Sequence, residues 1–155
     1  MKKICFAILV CVVINSGTAQ TWEWLNPLPQ GYPLFDIEFD NNNAYAVGEY
    51  GTVLKSIDGG LTWNTLSTGT TATWWSLSIT GSGTIYLAGM NGIILKSVDG
   101  GDNWIMLPTG TTTWILAIDF PDEQTGYALD GIGNIFKTTN GGTSWNNQTP
   151  ALNSS

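Results

Sequence analysis

Histidine and arginine are both missing from this 155-residue chain. The first absence removes the commonest general base, proton shuttle and metal ligand. The second removes the planar fork that grips carboxylates and phosphates at two points. Cysteine is nearly as scarce: Cys5 and Cys11 both lie in an N-terminal apolar run, so the rest of the chain has no thiol and no disulfide. Nucleophilic pairs of the Ser/His or Cys/His kind therefore have no members. No glycine-rich loop leads into a helical pattern, and no residues have metal-ligand spacing, so neither a cofactor nor a metal is expected.

Positive charge is low as well. Apart from Lys2 and Lys3, the chain has Lys55, Lys96 and Lys137 against twelve acidic residues. So acidic a surface suits solubility and fits phosphate backbones poorly; nucleic acid is not an expected partner. Long apolar runs are also absent. The stretch Ile4 to Ile14 is too short to span a bilayer, and nothing later is longer. Preceded by two lysines and followed by Gly17-Thr18-Ala19, it makes residues 1–19 a secretory signal. The expected destination is export: periplasmic, cell-surface or secreted. Val10 before Cys11 argues against a lipid-anchored start.

What the chain does have is a repeat. Ser56-Ile57-Asp58-Gly59-Gly60-Leu61-Thr62-Trp63 returns as Ser97 to Trp104, with Asp99, Gly100 and Gly101, and again as Thr138 to Trp145, with Asn140, Gly141 and Gly142; the step is 41 residues each time. Asp-Gly-Gly between alternating apolar runs is a reversal signal, because glycine reaches positive φ and an Asp or Asn side chain bonds nearby backbone N–H groups two residues ahead. The tryptophan that follows is large enough to fold back over the turn while its indole N–H seeks an acceptor.

Each unit reads as four strands. The first has Leu34 to Asp40, Ala44 to Gly48, Gly51 to Ile57 and Thr62 to Ser67; the second has Trp74 to Thr80, Thr84 to Gly89, Gly92 to Val98 and Asn103 to Leu107; the third has Trp114 to Phe120, Gly126 to Asp130, Gly133 to Thr139 and Ser144 to Thr149. Alternation puts Phe35, Ile37 and Phe39 on one face of the opening strand, with Asp36 and Glu38 on the other. Four short strands, glycine-rich turns, no helical period and a repeat near forty residues point to an all-β fold of β-propeller-type blades, each four antiparallel strands. The boundaries are a signal at 1–19, an orphan fourth strand and loop at 20–32, blades at 33–67, 68–108 and 109–150, and a tail at 151–155. The orphan strand rests on Trp22, which stands 41 residues before Trp63.

About three repeats make an incomplete or open ring, since propellers close with four to eight blades. An open stack leaves two faces of roughly 300 Å² each, from the ordinary spacings of short strands. Such faces find partners. Either the chain is a piece of a longer propeller, or it self-associates, two chains pairing into a six-blade ring.

The motif S-x-D-G-G-x-T-W resembles the BNR or Asp-box repeat. With Tyr45-Ala46-Val47-Gly48 and Gly51-Thr52-Val53-Leu54-Lys55-Ser56 before it, the chain is similar to the photosystem II stability/assembly factor-like family of propellers, over residues 21 to 150. The resemblance implies a non-enzymatic scaffold that helps assemble a membrane complex, and a structural role for Asp58, Gly59, Gly60, Trp63, Asp99, Gly100, Gly101, Trp104, Asn140, Gly141, Gly142 and Trp145 as staples away from any binding centre. The absence of arginine sets the chain apart from photosynthetic members and points to an exported bacterial one. Asn140 for Asp, and Gln148 where Leu66 and Leu107 stand, predict a loosely held last strand.

Asp-box propellers also include sialidases and endo-acting glycoside hydrolases. A sialidase resembling that family needs arginines, which excludes it here. Glycoside hydrolysis needs two carboxyl groups roughly 5 to 9.5 Å apart, and Asp36, Glu38 and Asp119 are the candidates. Their spacing is also what strand alternation yields by itself, and hydration of a central channel is the plainer reading. The expected function is an interaction or assembly scaffold with no catalytic residue; the alternative is a carbohydrate-binding or hydrolase-like propeller. Trp74, Trp75 and Trp114, beside Thr-rich loops, are the candidate binding residues for a protein partner or glycan. Against that, Trp75 shares a face with Leu77 and Ile79, and the plainer reading makes it core, with Trp74 and Trp114 packed between blades. Lys55, Lys96 and Lys137 read as solvated, their stems lying over aromatic rings.

Overall fold

The computed structural model describes residues 31–150; the signal segment, the Trp22 strand and the 151–155 tail lie outside the described residues. The first sheet is β1 (Leu34–Asp40), β2 (Asn43–Gly48), β3 (Val53–Ser56) and β4 (Asn64–Leu66). The second is β5 (Trp74–Ile79), β6 (Ile85–Gly89), β7 (Ile94–Ser97) and β8 (Ile105–Leu107). The third is β9 (Ile115–Asp119), β10 (Gly126–Asp130), β11 (Ile135–Thr138) and β12 (Asn146–Asn147). In each sheet the strands lie in chain order and every neighbouring pair is antiparallel. These are three propeller blades in an open arrangement, and the described residues contain no α-helix.

The third strands start later than alternation suggests. Tyr50 and Asn91 sit at φ 53 and 58, followed by Gly51 and Gly92 at φ 73 and 70, so a 3₁₀ turn occupies the first residues of those segments. The fourth strands are shorter too, because each box tryptophan belongs to the turn that precedes them.

Apolar material is buried between blades. Tyr45, Val47 and Val53 of the first sheet meet Leu77, Ile85, Leu87 and Leu95 of the second. The other face of the second sheet, with Tyr86, Ala88 and Ile94, meets Ile115, Ile118, Phe120, Ala128 and Phe136 of the third. The middle blade is covered on both sides, and burial of each large apolar side chain stabilises by roughly 1.5–3 kcal/mol. The innermost strands β1, β5 and β9 lie beside one another and carry the side chains that bond across the seams.

Every innermost strand carries a bulge. Register shifts fall between Leu34 and Asp36, between Trp74 and Ser76, and opposite Leu129/Asp130, where Asp130 pairs with Ile115 and Leu129 with Ala117, leaving Leu116 extra. One inserted residue reverses the side-chain parity behind it. Phe35 is therefore separated from Ile37 and Phe39, and Trp75 from Leu77, contrary to simple alternation.

Candidate functional site

The bulges decide what the blade rim presents. Trp74 is wholly buried and joins the first inter-blade core, so it offers no surface to a ligand. Trp75, the bulged residue, is half-buried and stacks on Phe35, the bulged residue of the preceding blade, with ring centroids 4.5 Å apart. Trp114 continues the row at 6.2 Å from Trp75 and is 49% exposed. Tyr32 and Tyr50 form a second aromatic pair, 4.6 Å apart, beside the start of β1.

The loops leading into this rim are braced by their own threonines. Thr68 Oγ1 donates to the Thr70 carbonyl at 3.2 Å, and the Ala72 amide donates to Thr70 Oγ1 at 3.1 Å. One blade later, Thr109 Oγ1 donates to the Gly92 carbonyl at 2.6 Å and the Thr113 amide to Thr111 Oγ1 at 3.0 Å. Such local bonds hold a loop in one conformation before any ligand arrives.

The Asp-Gly-Gly turns lie at the opposite end of the sheets, after β3, β7 and β11. The hydroxyl of Ser56 donates to Asp58 Oδ1 at 2.7 Å and accepts the Gly60 amide at 2.9 Å; Asp58 in turn accepts the Thr62 amide at 2.9 Å. Ser97, Gly101, Asp99 and Asn103 repeat this, as do Thr138, Gly142, Asn140 and Ser144. The acidic side chain thus reaches four residues ahead, where two were expected. Both glycines of each turn have positive φ, at 73 and 92 for Gly59 and Gly60, which side-chain-bearing residues rarely adopt. Among the described residues, Trp63 of the three tryptophans alone finds an acceptor for its indole N–H, the Gly60 carbonyl at 3.0 Å; the buried Nε1 atoms of Trp104 and Trp145 find none there.

These turns also lock into the preceding blade. Tyr45 Oη and Lys55 Nζ donate to the Gly100 carbonyl at 3.3 and 2.8 Å, and Tyr86 Oη and Lys96 Nζ to the Gly141 carbonyl at 3.4 and 3.5 Å. Each ammonium also stands over its tyrosine ring, at 5.6 Å for Lys55 and 5.2 Å for Lys96. Those two lysines are accordingly half-buried ties between blades and not the solvated charges expected of them.

A second set of ties runs along the innermost strands. Asp36 Oδ2 accepts the Leu77 amide at 2.9 Å and the Ser76 hydroxyl at 3.0 Å, while Glu38 Oε2 accepts the Ile79 amide at 2.9 Å. At the next seam Ser76 Oγ and Ser78 Oγ accept the Ile118 and Phe120 amides at 3.4 and 3.0 Å. Asp36 and Glu38 therefore hold the neighbouring blade, a role beyond the channel hydration expected of them. Asp119 stands on the third sheet, at the end of β9, where it pairs with Tyr127. Among the described residues no group of His, Cys, Asp or Glu is arranged to hold a metal, and no helix is long and apolar enough to cross a membrane.

A family profile described as photosynthesis system II assembly factor YCF48 matches residues 14–113. Among solved structures, YCF48 bound to a D1 peptide is similar with a TM-score of 0.73 at 23% identity, over 80% of this chain and 42% of that one. YCF48 from Cyanidioschyzon merolae is similar with a TM-score of 0.70 at 29% identity, over 78% of this chain and 38% of that one. A GH74 enzyme from Niastella koreensis has a TM-score of 0.66 at 24% identity, over 76% of this chain and 22% of its own, a likeness of fold. The chain spans less than half the length of the YCF48 structures it matches. No curated protein matches it.

Proposed function

Because the chain belongs to the photosynthesis system II assembly factor YCF48 family, we propose that it is an exported, non-catalytic scaffold whose aromatic rim holds an extended segment of a protein partner. The observation that carries this reading is the row Phe35, Trp75 and Trp114, which crosses all three blades on pre-braced loops and leaves the last ring half-exposed. Rigid aromatics of this kind supply contact area at little cost in conformational entropy. That a YCF48 structure carries a D1 peptide supports a peptide as the ligand class.

A second reading takes sugar as the ligand, favoured by the GH74 fold likeness and the flat exposed face of Trp114. Binding alone fits it better than hydrolysis, since Asp36 and Glu38 are engaged as acceptors of backbone amides. Tryptophan fluorescence titrations with extended peptides and with oligosaccharides separate the two. The scaffold reading expects a peptide response weakened about tenfold, or about 1.4 kcal/mol, by Trp114→Ala. Oligosaccharide turnover, or peptide affinity indifferent to both Trp114→Ala and Phe35→Ala, would overturn it.

A further inference from the structure

We propose that copies of this chain dock head to tail, the outward face of the third sheet in one copy receiving β1 and the first Asp-Gly-Gly turn of another. The template for this contact occurs twice inside the chain. At each internal seam a Tyr/Lys pair on the second and third strands points at the first glycine carbonyl of the following turn, Gly100 or Gly141. The third sheet carries the same pair. Lys137 Nζ stands 5.4 Å from the Tyr127 ring centroid, as Lys55 and Lys96 stand over Tyr45 and Tyr86.

Nothing in the described chain fills this third socket. Tyr45 and Tyr86 are 4% and 0% exposed, whereas Tyr127 is 40% exposed, together with Leu129 at 40% and Ile135 at 39%. A shallow recess opens between Ala117, Tyr127, Leu129 and Ile135. The matching plug stands at the other end. Gly59 holds the place of Gly100 and Gly141, is exposed, and has no described side chain over it, whereas Gly100 and Gly141 lie against a lysine and a tyrosine of the blade before.

The side chains around the plug also correspond. Phe120 stacks on Tyr86 at 3.6 Å with the planes 5° apart. Phe39 holds the position of Phe120 and is 40% exposed, so in a second copy it would lie on Tyr127. Ala117, which stands where Asp36 and Ser76 accept an amide, brings no acceptor, and the amide it would face already has one: the Ile37 amide donates to Asp36 Oδ1 at 2.9 Å. One position fits less well. Leu66 and Leu107 sit directly under Gly101 and Gly142, and the equivalent third residue is Gln148, which makes this seam weaker than the internal two.

A heterologous contact closes into a ring when the rotation permits. Two copies of the three described blades make six, within the usual four to eight, and bury two seams at once. With blade faces of roughly 300 Å², the two seams remove about 1,200 Å² from water, the lower bound for a specific pair.

The test is sedimentation equilibrium on the purified full chain and on two variants, Tyr127→Asp (socket) and Phe39→Asp (plug). The expected result is a wild-type dimer and two monomeric variants. Mixing the variants should restore a one-to-one dimer, weaker than the wild-type one because only one of its two seams is intact, since the intact plug of one meets the intact socket of the other; that recovery also shows both variants to be folded. A wild-type chain that stays monomeric at every concentration would put something else on this face and overturn the proposal. So would a dimer indifferent to Phe39→Asp, or variants that do not rescue each other, since either outcome marks a contact that is not head to tail.

Discussion

Asp58 and Asp99 are held well below the ordinary carboxylate pKa of 3.8, at about 2. For Asp58 the largest cause is the Thr62 hydroxyl, then the Thr62 amide and the Ser56 hydroxyl; for Asp99 it is the Asn103 amide, then the Asn103 side chain and the Ser97 hydroxyl. A carboxylate whose folded pKa is depressed contributes stability that is present above the unfolded value and is lost as pH falls through the folded one. The window here is from about 4 down to about 2. Asn140 makes the same contacts with an amide oxygen and cannot titrate. Amide exchange followed by NMR should show Thr62 and Asn103 losing protection in that window while Ser144 changes only with global unfolding. Asp99→Asn should give Asn103 the acid-insensitive behaviour of Ser144. The tryptophans separate equally well by burial. Trp74→Ala, at a site with no exposure, should cost roughly 3–5 kcal/mol in chemical denaturation. Trp114→Ala, half-exposed, should cost under about 1 kcal/mol.

At the scale of strands and turns, the seams are where substitutions have most effect. Gly101 has φ +93, and a Cβ there would fall 2.4 Å from Leu66 Cδ1 of the preceding blade. Gly101→Ala combines backbone strain with a clash and should destabilise by about 1–3 kcal/mol in urea melts. Gly59→Ala has the strained φ without the clash and should cost less. Ser78→Ala leaves the buried Phe120 amide without its acceptor, a loss of roughly 1–3 kcal/mol, visible as faster exchange at that amide. The turns and the four-strand units were legible in the sequence because Asp-Gly-Gly and the trailing tryptophan are local signals. The bulges were not. Leu34-Phe35 and Trp74-Trp75 each put two large apolar residues before a polar one, a break in alternation that reads as noise unless an inserted residue is considered. The roles of Asp36, Glu38 and Lys55 were hidden for another reason: each bonds a partner forty or more residues away, and no local pattern encodes that reach.

For the molecule as a whole, taken as the unassociated single chain, stability should rise toward the middle. The second blade has an apolar seam on both faces, whereas the first and third sheets share one described seam each. Its amides, those of Leu87 and Leu95 among them, should exchange last in hydrogen–deuterium exchange. Strand β12, two exposed residues long, should exchange first. Uniform protection across the three blades would contradict a core divided between seams.

Most ties between blades run one way, the exception being Glu123, whose Oε1 accepts the amide and hydroxyl of Ser82 in the blade before. Tyr45, Lys55, Asp36 and Glu38 are synthesised before the groups they grip, and so are Tyr86, Lys96, Ser76 and Ser78. Wherever the chain emerges N-terminus first, each finished unit is therefore a waiting template: when the next forty-one residues follow, most of the donors and acceptors that will hold them already stand in place. Growth by apposition of this kind lets an emerging chain consolidate one seam at a time, from its N-terminal blade onward.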